Sequence, residues 1–193
     1  MIPNSRLDAL TDGVFAFAMT LLVIDLRLPD SFAPTSAMEL LKALAGLHGQ
    51  LLAYLISFWV LGLRWLAIVR QRIEPETVSL RYAEWSLAQL FFITFVPFST
   101  MVIGRYPDYA PAVWLYAANM ILAALISLRL ATMTDHRGYD GERYDRRMGL
   151  VVIIVVALLS VAVSFVNPRY AMWAYLLNAM GPAFTRWLPG RSA

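Results

Sequence analysis

Cysteine is absent from the 193 residues of the chain, and histidine occurs only twice, as His48 and His136. Disulfides, thiolate metal sites and cysteine nucleophiles are therefore excluded, and the wide separation of the two histidines argues against a histidine metal centre. Charge is also scarce: acidic and basic residues make up 15% of the chain, Lys42 is the sole lysine, and the net charge is +3. So small and dispersed a charge does not indicate nucleic-acid binding, and we expect neither a metal nor an organic cofactor.

Hydrophobic residues make up 60% of the chain, and its mean hydropathy is +0.60. Soluble domains are usually about half apolar and about a quarter charged, so both values point to lipid. A transmembrane helix needs about 20 mostly apolar residues. Six stretches meet this requirement, at about 7–28, 47–69, 85–103, 112–131, 148–166 and 170–187. The sequence predicts an all-α membrane protein with one transmembrane domain over residues 1–193 and no cleaved signal peptide. A short amphipathic helix outside the core is predicted from Thr35 onward.

The distribution of arginine and lysine predicts the orientation of the chain. Eleven of these residues fall on the side of the two termini, whereas four fall on the other side, namely Arg27, Lys42, Arg105 and Arg169. Cytoplasmic loops carry the excess of positive charge in membrane proteins. Both termini are therefore predicted in the cytoplasm, which requires an even number of spans.

The first span differs from the others in its polar content. It carries Thr11, Asp12, Thr20 and Asp25 within the span or at its edges. Charged residues in spans usually face protein or water, which predicts that this helix lies inside an assembly. Asp12 has two interpretations: a titratable ion site, or a structural charge near the cytoplasmic end. A buried charge without a partner would be costly, so we expect Arg64 or Arg6 beside it.

One face of the first span forms a continuous stripe. At about 100° per residue, Gly13, Thr20, Leu21, Ile24 and Leu28 all fall within roughly 60° of Phe17. Asp12 lies nearer the opposite face, and Asp25 flanks the stripe near its outer end. The stripe either packs against other helices or lines a pore, in which apolar rings gate by excluding water. A pore would need an oligomer with cyclic symmetry, because one chain supplies one stripe.

Residues 6–23 carry a motif, R-L-D-A-L-T-D-G-V-F-A-F-A-M-T-L-L-V. This segment resembles the first helix of the lysosomal-type transmembrane potassium channel family, in particular its prokaryotic single-repeat members. That helix begins with R-x-x-x-F-S-D and continues with G-V-F-A-I-A-I-T-L-L-V. Weaker likeness extends to Ser57–Trp65, Phe95–Thr100, Leu115–Ala117 and Ser164–Pro168. The resemblance covers nearly the whole chain, and the first-helix motif is its specific part.

The resemblance implies a homotetramer of six-helix subunits in a prokaryotic plasma membrane, with the first helices around a central pore. It also implies conduction of potassium with modest selectivity over sodium and no glycine-rich carbonyl filter, and no T-V-G-Y-G run occurs here. The positions of the family's constriction and outer rings are Phe17, Thr20, Leu21 and Ile24. The structural network around the motif corresponds to Arg6, Thr11, Asp12, Arg64 and Trp65. Asp25 corresponds to the outer mouth.

Three departures from the family pattern bear on function. Leu10–Thr11 replaces Phe-Ser, which is a mild change. Phe17 stands where isoleucine is usual, so its ring would close a pore more tightly or change its ion preference. Arg64 stands where an uncharged residue is usual, and Ala67–Ile68 replaces an asparagine and a histidine. We therefore expect that Arg64 has rebuilt the polar network around Asp12.

The leading hypothesis is a potassium-conducting cation channel. A secondary transporter that uses Asp12 or Asp25 is the first alternative, although neither inverted repeats nor paired broken helices are visible. A non-conducting membrane scaffold is the second, because the bulky Phe17 favours a closed axis. A membrane-embedded enzyme finds no support, because the sequence offers no cysteine, histidine pair or Ser/His/Asp grouping at matched depth.

Overall fold

The computed structural model of the protein describes residues 1–69, 77–134 and 140–177, of which residues 134 and 140–146 are described by their backbone alone. Helices dominate this part of the chain. In order they are α1 (Asn4–Leu21), α2 (Ala37–Gly46), α3 (His48–Val69), α4 (Leu80–Arg105), α5 (Ala110–Thr134) and α6 (Asp140–Ser164). A first 3-10 helix (Leu22–Asp25) continues α1, and a second 3-10 helix (Pro168–Tyr175) follows α6.

Within the described residues, 5 helical segments are long and apolar enough to cross a membrane. They are Asn4–Asp25, His48–Val69, Leu80–Arg105, Ala110–Met133 and Arg147–Ser164. The mostly helical architecture that the sequence predicts is thereby confirmed. The sixth predicted span, 170–187, is described only to residue 177 and begins in the second 3-10 helix. Its remainder lies outside the described residues, so the number of six spans stays a prediction.

α4 begins earlier than the predicted residue 85 because a serine caps it. The Ser79 hydroxyl accepts a hydrogen bond from the backbone N–H of Tyr82 at 3.2 Å. Serine favours this position because its oxygen satisfies an N–H group that the first turn leaves free. Pro97 lies inside the same helix and does not end it. Proline removes one backbone hydrogen bond, which membrane helices tolerate when neighbouring groups satisfy the freed carbonyl.

The outer end of α1 differs from the predicted span. The α-helix ends at Leu21, the first 3-10 helix runs to Asp25, and residues 26–29 are not helical. A tightened last turn is common at helix ends, because it satisfies carbonyl groups that have no partner in the helix. The backbone N–H of Leu26 accordingly bonds to the carbonyl of Val23 at 3.0 Å. The angular argument that placed Leu28 on the face of Phe17 is therefore wrong.

The described helices pack in the spatial order α1, α4, α5 and α6, with α3 beside α1 and α4. α4 lies centrally and contacts α1, α3 and α5, while α5 contacts α6. The second 3-10 helix packs against α6 and α5. The core between these helices is fully buried at Phe15, Ile93 and Tyr116. α1 thus lies at one edge of the protomer, with one side in the core.

A two-residue strand pairing is a local departure from the all-α prediction. β1 (Ile2–Pro3) pairs antiparallel with β2 (Thr77–Val78), the first residue of each strand opposite the last of the other. Leu7 of α1 and Ala83 of α4 form a small apolar cluster with Val78. The pairing places the N-terminus and the start of α4 on the same side of the bundle.

α2 confirms the short helix predicted between the first two spans. The Ser36 hydroxyl accepts from the backbone N–H of Glu39 at 3.2 Å, and the Glu39 carboxylate accepts from the backbone N–H and the hydroxyl of Thr35, both at 2.8 Å. This reciprocal capping is typical of a helix start. The Thr35 backbone bond, followed by its hydroxyl bond, holds the pKa of Glu39 below its usual range. No α2 side chain is buried, so the helix lies outside the protomer core.

Candidate ion pathway on the first helix

α1 buries one side of its surface in the protomer and leaves the other side free. Its buried residues are Asn4, Leu7, Phe15 and Ala18. Phe17 is 67% exposed, Ile24 in the 3-10 continuation is 62% exposed, and Thr20 is exposed as well. Leu21 is half-buried at the border. We call Gly13, Phe17, Thr20, Leu21 and Ile24 the outward face of α1.

The outward face contains the four residues that the sequence predicts to line a pore. Phe17, Thr20 and Ile24 are too exposed to be packed into the described helices of their own protomer. Packing within the subunit is therefore excluded for them as far as the described residues extend. A large exposed apolar stripe in a membrane protein meets lipid, another subunit or a pore axis.

The Thr20 hydroxyl is the polar group of this face. It donates a hydrogen bond to the backbone carbonyl of Phe17 at 2.8 Å. A hydroxyl has one hydrogen and two acceptor lone pairs. Because the hydrogen is already used, the side chain can offer its lone pairs to a cation, as a ring of hydroxyls in an oligomer would require.

Ile24 stays on the outward face although the helix type changes before it. In an α-helix, three residues turn the side chain by about 300°, which leaves it about 60° away from the starting direction. In a 3-10 helix, residues three apart eclipse one another. Ile24 therefore lies above Leu21, and the two side chains extend the same apolar row toward the outer end.

Asp12 and Trp65 come together, as the predicted network requires. The Trp65 indole Nε1–H donates to Asp12 Oδ1 at 2.9 Å. The Thr11 hydroxyl bonds within its own helix instead, donating to the backbone carbonyl of Leu7 at 2.8 Å. Asp12 lies away from the outward face, as the helical periodicity predicts, and its contact joins α1 to α3.

The predicted ion pair between Asp12 and an arginine is wrong. In the part of the chain that the structure describes, neither Arg6 nor Arg64 forms an ion pair with Asp12. Arg64 is 6% exposed and extends to α5 instead, where Nη2 donates to Ser127 Oγ at 2.7 Å. The reason is local: Arg64 and Trp65 are adjacent on a helix, so their side chains point about 100° apart. When Trp65 faces α1, Arg64 faces the interior.

Sequence patterns did not predict the partners of Arg64. Nη2 also donates to the Ala123 carbonyl at 3.2 Å, and Gln89 Nε2 of α4 donates to the same Ser127 hydroxyl at 3.0 Å. The sequence feature that could have indicated these partners is their depth in the membrane. Gln89 and Ser127 are polar residues inside apolar spans, and each lies as far from the predicted cytoplasmic end of its helix as Arg64 does, within about one turn.

Asp25, predicted at the outer mouth, lies at the end of the first 3-10 helix. Its Oδ1 is 3.5 Å from Arg105 Nη2 at the end of α4, and about one third of each side chain is exposed (35% and 34%). The pair joins the outer end of the α1 continuation to the outer end of α4. Asp25 is therefore placed to add negative charge beside the outward face, with Arg105 offsetting part of it.

A second polar group, also missed from the sequence, lies in the outer half of the bundle. The Thr100 hydroxyl donates to Ser57 Oγ at 2.8 Å, and the Ser57 and Tyr116 hydroxyls are 3.0 Å apart. All three residues are buried, and they come from α4, α3 and α5. Buried hydroxyls that satisfy one another stabilise helix contacts in an apolar medium. This group packs the scaffold behind α1 and does not reach the outward face.

Similarity to known proteins covers most of the chain. The sequence model of the family described as "Endosomal/lysosomal potassium channel TMEM175" matches residues 6–97, which span α1, α3 and most of α4. A protein named potassium channel from Chamaesiphon minutus is 30% identical over 171 residues, which cover 81% of this chain and 84% of that protein. The chain belongs to the TMEM175 family. The resemblance of residues 6–23 is thereby confirmed, and because the family is one of ion channels, so is the prediction of a protein that is not an enzyme.

Further TMEM175 relatives cover similar lengths. A protein named potassium channel from Streptomyces collinus is 27% identical over 150 residues, or 77% of this chain and 71% of that protein. The crystal structure of a lysosomal potassium-selective channel TMEM175 homolog from Chamaesiphon minutus is similar in fold, with a TM-score of 0.78 at 26% identity. That similarity covers 94% of this chain and 97% of the other. The chain therefore has the TMEM175 fold over nearly its full length.

Proposed function

We propose that this protein is a potassium-conducting cation channel, assembled as a homotetramer with α1 of each subunit around a central axis. The observation that carries the proposal is the outward face of α1. It is apolar apart from the Thr20 hydroxyl, and the described helices of the protomer leave it free. Relatives over most of the chain are named potassium channels, which supports the same function here.

The chemistry of this face fits conduction with modest selectivity. An apolar ring that is narrow enough to shed water resists ions without any charged barrier. Phe17 is the largest side chain on the face and forms the inner constriction of the proposed pore. Thr20 lies about one turn closer to the outer end of α1. Its hydroxyl oxygens replace part of an ion's hydration. One ring of hydroxyls selects less sharply than stacked carbonyl rings, and no bound cofactor is needed.

The proposed location is a prokaryotic plasma membrane with both termini in the cytoplasm. The distribution of eleven against four basic residues supports this orientation. The contacts within the protomer group its elements into the same two ends of the bundle. The β1–β2 pairing and the Asp12–Trp65 bond lie at one end of the helices, and the Asp25–Arg105 pair lies at the other.

Ion flux from the purified protein in liposomes tests the function. Potassium and sodium gradients are compared, and light scattering measures the mass of the assembly against four times 21.7 kDa. We expect potassium flux that does not saturate, needs no counter-substrate and accompanies a tetramer. Flux that requires a counter-substrate would instead identify a secondary transporter. Flux no greater than that of protein-free liposomes would identify a scaffold.

A further inference from the structure

We propose that Arg64 is a positioning residue for α1, the helix that lines the proposed pore. Together with Gln89 and Ser127 it forms an inner polar cluster that fixes the orientation of α3. That orientation lets Trp65 bind Asp12 of α1 and thereby sets how Phe17 meets the pore axis. The inference rests on the proposed function, because it assigns Arg64 a role in the geometry of that pore.

The inner polar cluster joins three helices at a single hydroxyl. Ser127 Oγ of α5 accepts from Arg64 Nη2 of α3 at 2.7 Å and from Gln89 Nε2 of α4 at 3.0 Å. It donates its own hydrogen to the Ala123 carbonyl at 2.7 Å. A hydroxyl has one donor and two acceptor sites, so this hydroxyl is fully used. The three helices are thereby held in one relative rotation at this depth.

Arg64 is a costly residue at this position. It is 6% exposed inside a candidate membrane span, and in the described part of the chain its Nη1 has no hydrogen-bond partner. No carboxylate of the described residues forms an ion pair with it. Taking a charge out of water costs several kcal/mol per ion, and a hydrophobic residue of similar size often serves stability as well or better. Stability alone therefore does not account for an arginine here, whereas directional bonds to α5 do.

The cluster is linked to the pore helix through the next residue of α3. Arg64 and Trp65 point about 100° apart, so fixing Arg64 toward α5 directs Trp65 toward α1. Trp65 Nε1 then donates to Asp12 Oδ1 at 2.9 Å. Asp12 and Phe17 are about one and a half turns apart on the same helix. A rotation of α3 is therefore transmitted through this bond to the side chain that forms the proposed constriction.

The test compares two changes in the cluster with a matched change elsewhere. Arg64→Met keeps an unbranched apolar stem in place of the arginine methylenes and removes the guanidinium with its bonds, while Ser127→Ala removes the shared hydroxyl. Ser164→Ala is the control: Ser164 also donates to its own helix, to the Val161 carbonyl at 2.6 Å, and accepts from another helix, from Trp114 Nε1 at 3.0 Å. That bond joins α5 to α6 and involves no group on α1.

The readout is the reversal potential in opposed potassium and sodium solutions, measured with tetramer content matched between variants. We expect Arg64→Met and Ser127→Ala to change the permeability ratio of potassium to sodium by about twofold or more. Residues of a coupling network typically have effects of this size. Ser164→Ala should leave the ratio at the wild-type value. Arg64→Lys keeps one donor for Ser127, so its permeability ratio should lie between that of Arg64→Met and that of the wild type. A wild-type ratio in both cluster variants, whether or not they yield less tetramer, would overturn the proposal.

A double-mutant cycle tests whether Arg64 acts through Trp65. In a Trp65→Phe background the bond to Asp12 is absent, so adding Arg64→Met should produce no further change in the ratio. Residues that act through one network give non-additive effects, whereas independent residues add. Additive changes would overturn the proposed route.

A label on α1 separates this proposal from the channel proposal. The chain has no cysteine, and a Cβ at Gly13 of the outward face would meet no atom of its own protomer within 4 Å, so Gly13→Cys accepts one spin label per subunit next to Asp12 in sequence. We expect Arg64→Met to change the mobility spectrum of this label and Ser164→Ala to leave it unchanged. If the wild type conducts no cation but the label responds in this way, the positioning role stands and the channel proposal fails. A label that is insensitive to Arg64→Met overturns the positioning role, whatever the flux.

Discussion

Phe17 presents a bulky apolar ring on a helix face that the protomer does not cover. If four such rings meet at an axis, they exclude water from it, and an ion must pass without its hydration shell. We predict that Phe17→Ala raises cation flux per tetramer and weakens discrimination among alkali ions, because a smaller ring admits water. Phe17→Asn should also raise flux, because the amide wets the ring. The measurement is flux into liposomes normalised to tetramer content.

The control for Phe17 is a phenylalanine with similar exposure on another helix. Phe91 of α4 is 62% exposed and lies off the outward face of α1, so Phe91→Ala should leave flux per tetramer unchanged. The packing interpretation of Phe17 predicts a different result. Removing a phenylalanine that an assembly buries costs about 3–5 kcal/mol and would mainly lower the yield of tetramer. Unchanged or reduced flux per tetramer in both Phe17 variants would remove this residue from the pore.

Asp12 has a neutral donor as its partner and not the predicted arginine, which lowers the expected cost of changing it. Removing one intramolecular hydrogen bond typically costs about 1 kcal/mol, whereas breaking a buried ion pair costs about 3–5 kcal/mol. We predict that Asp12→Ala lowers tetramer yield modestly and changes the permeability ratio no more than Trp65→Phe does, because both variants remove the same bond. Asp12→Asn should be milder, because the amide oxygen still accepts from Trp65.

The comparison for Asp12 is Trp65→Phe, which removes the same hydrogen bond from the other side. Size-exclusion chromatography and thermal melting in detergent should show similar losses for Asp12→Ala and Trp65→Phe. A loss of ion preference in Asp12→Ala that Trp65→Phe does not share would identify Asp12 as an ion site.

Ion pairs join the outer ends of several elements. Asp25 pairs with Arg105 and so connects the first 3-10 helix to α4. Asp108, between α4 and α5, accepts hydrogen bonds from Arg169 Nε and from its Nη2, the latter at 2.9 Å, at the start of the second 3-10 helix. All four side chains are at least one third exposed, so each pair contributes little alone. Together they fix the outer connections of helices that are otherwise held by apolar packing.

The Asp108–Arg169 pair predicts an acid-dependent contribution to stability. The hydrogen bond from Arg169 holds the pKa of Asp108 below its usual range. Because the folded pKa lies below the unfolded value of about 3.9, the contribution is present above that pH and is lost as pH falls through the folded pKa. We expect Asp108→Asn to lower the melting temperature slightly near neutral pH, with a difference from wild type that shrinks as pH falls below about 4.

Arg169→Gln removes the same pair and serves as the matched variant. It should follow Asp108→Asn in both the size and the pH dependence of the change, and the double variant should add nothing further. A difference from wild type that stays constant down to about pH 2 would show that the pair makes no pH-dependent contribution in this range.

The orientation that we propose for the whole molecule rests on charge and on contacts that group its loops. The β1–β2 pairing brings the N-terminus to the start of α4, beside Arg6 and Arg81 of the basic side. The Asp108–Arg169 pair joins connections on the opposite side. The division of loops between two sides is thus supported by structure, and the positive-inside rule then predicts which side is cytoplasmic.

Topology is tested with reporters and with single cysteines, which the cysteine-free chain permits. Reporter tags at residues 2 and 193 should both map to the cytoplasm. Cysteines at Tyr109 and Asp30 should react with an impermeant maleimide from outside intact cells, whereas one at Ser5 should react only after lysis. A tag at either end found outside would contradict the cytoplasmic placement of both termini.

Local physics in the sequence determined the helices and the face of α1 that turns away from the protomer. Apolar runs of membrane length can only satisfy their backbone in helices, and helical periodicity alone groups Phe17 with Thr20 and Leu21. The motif in residues 6–23 was also enough to indicate the TMEM175 family. Each of these features depends on residues that are near one another in the chain.

The tertiary structure alone decided which distant polar groups meet. Arg64 was expected beside Asp12 because the two lie at similar depth, but depth does not specify direction around a helix axis. That direction depends on how α3 packs between α1 and α5, and this packing turns Trp65 to Asp12 and Arg64 to Ser127. The first 3-10 helix was likewise invisible to a periodicity that assumes one helix type. Partner choice and helix ends are set by contacts far apart in sequence, and a pattern read along the chain does not contain them.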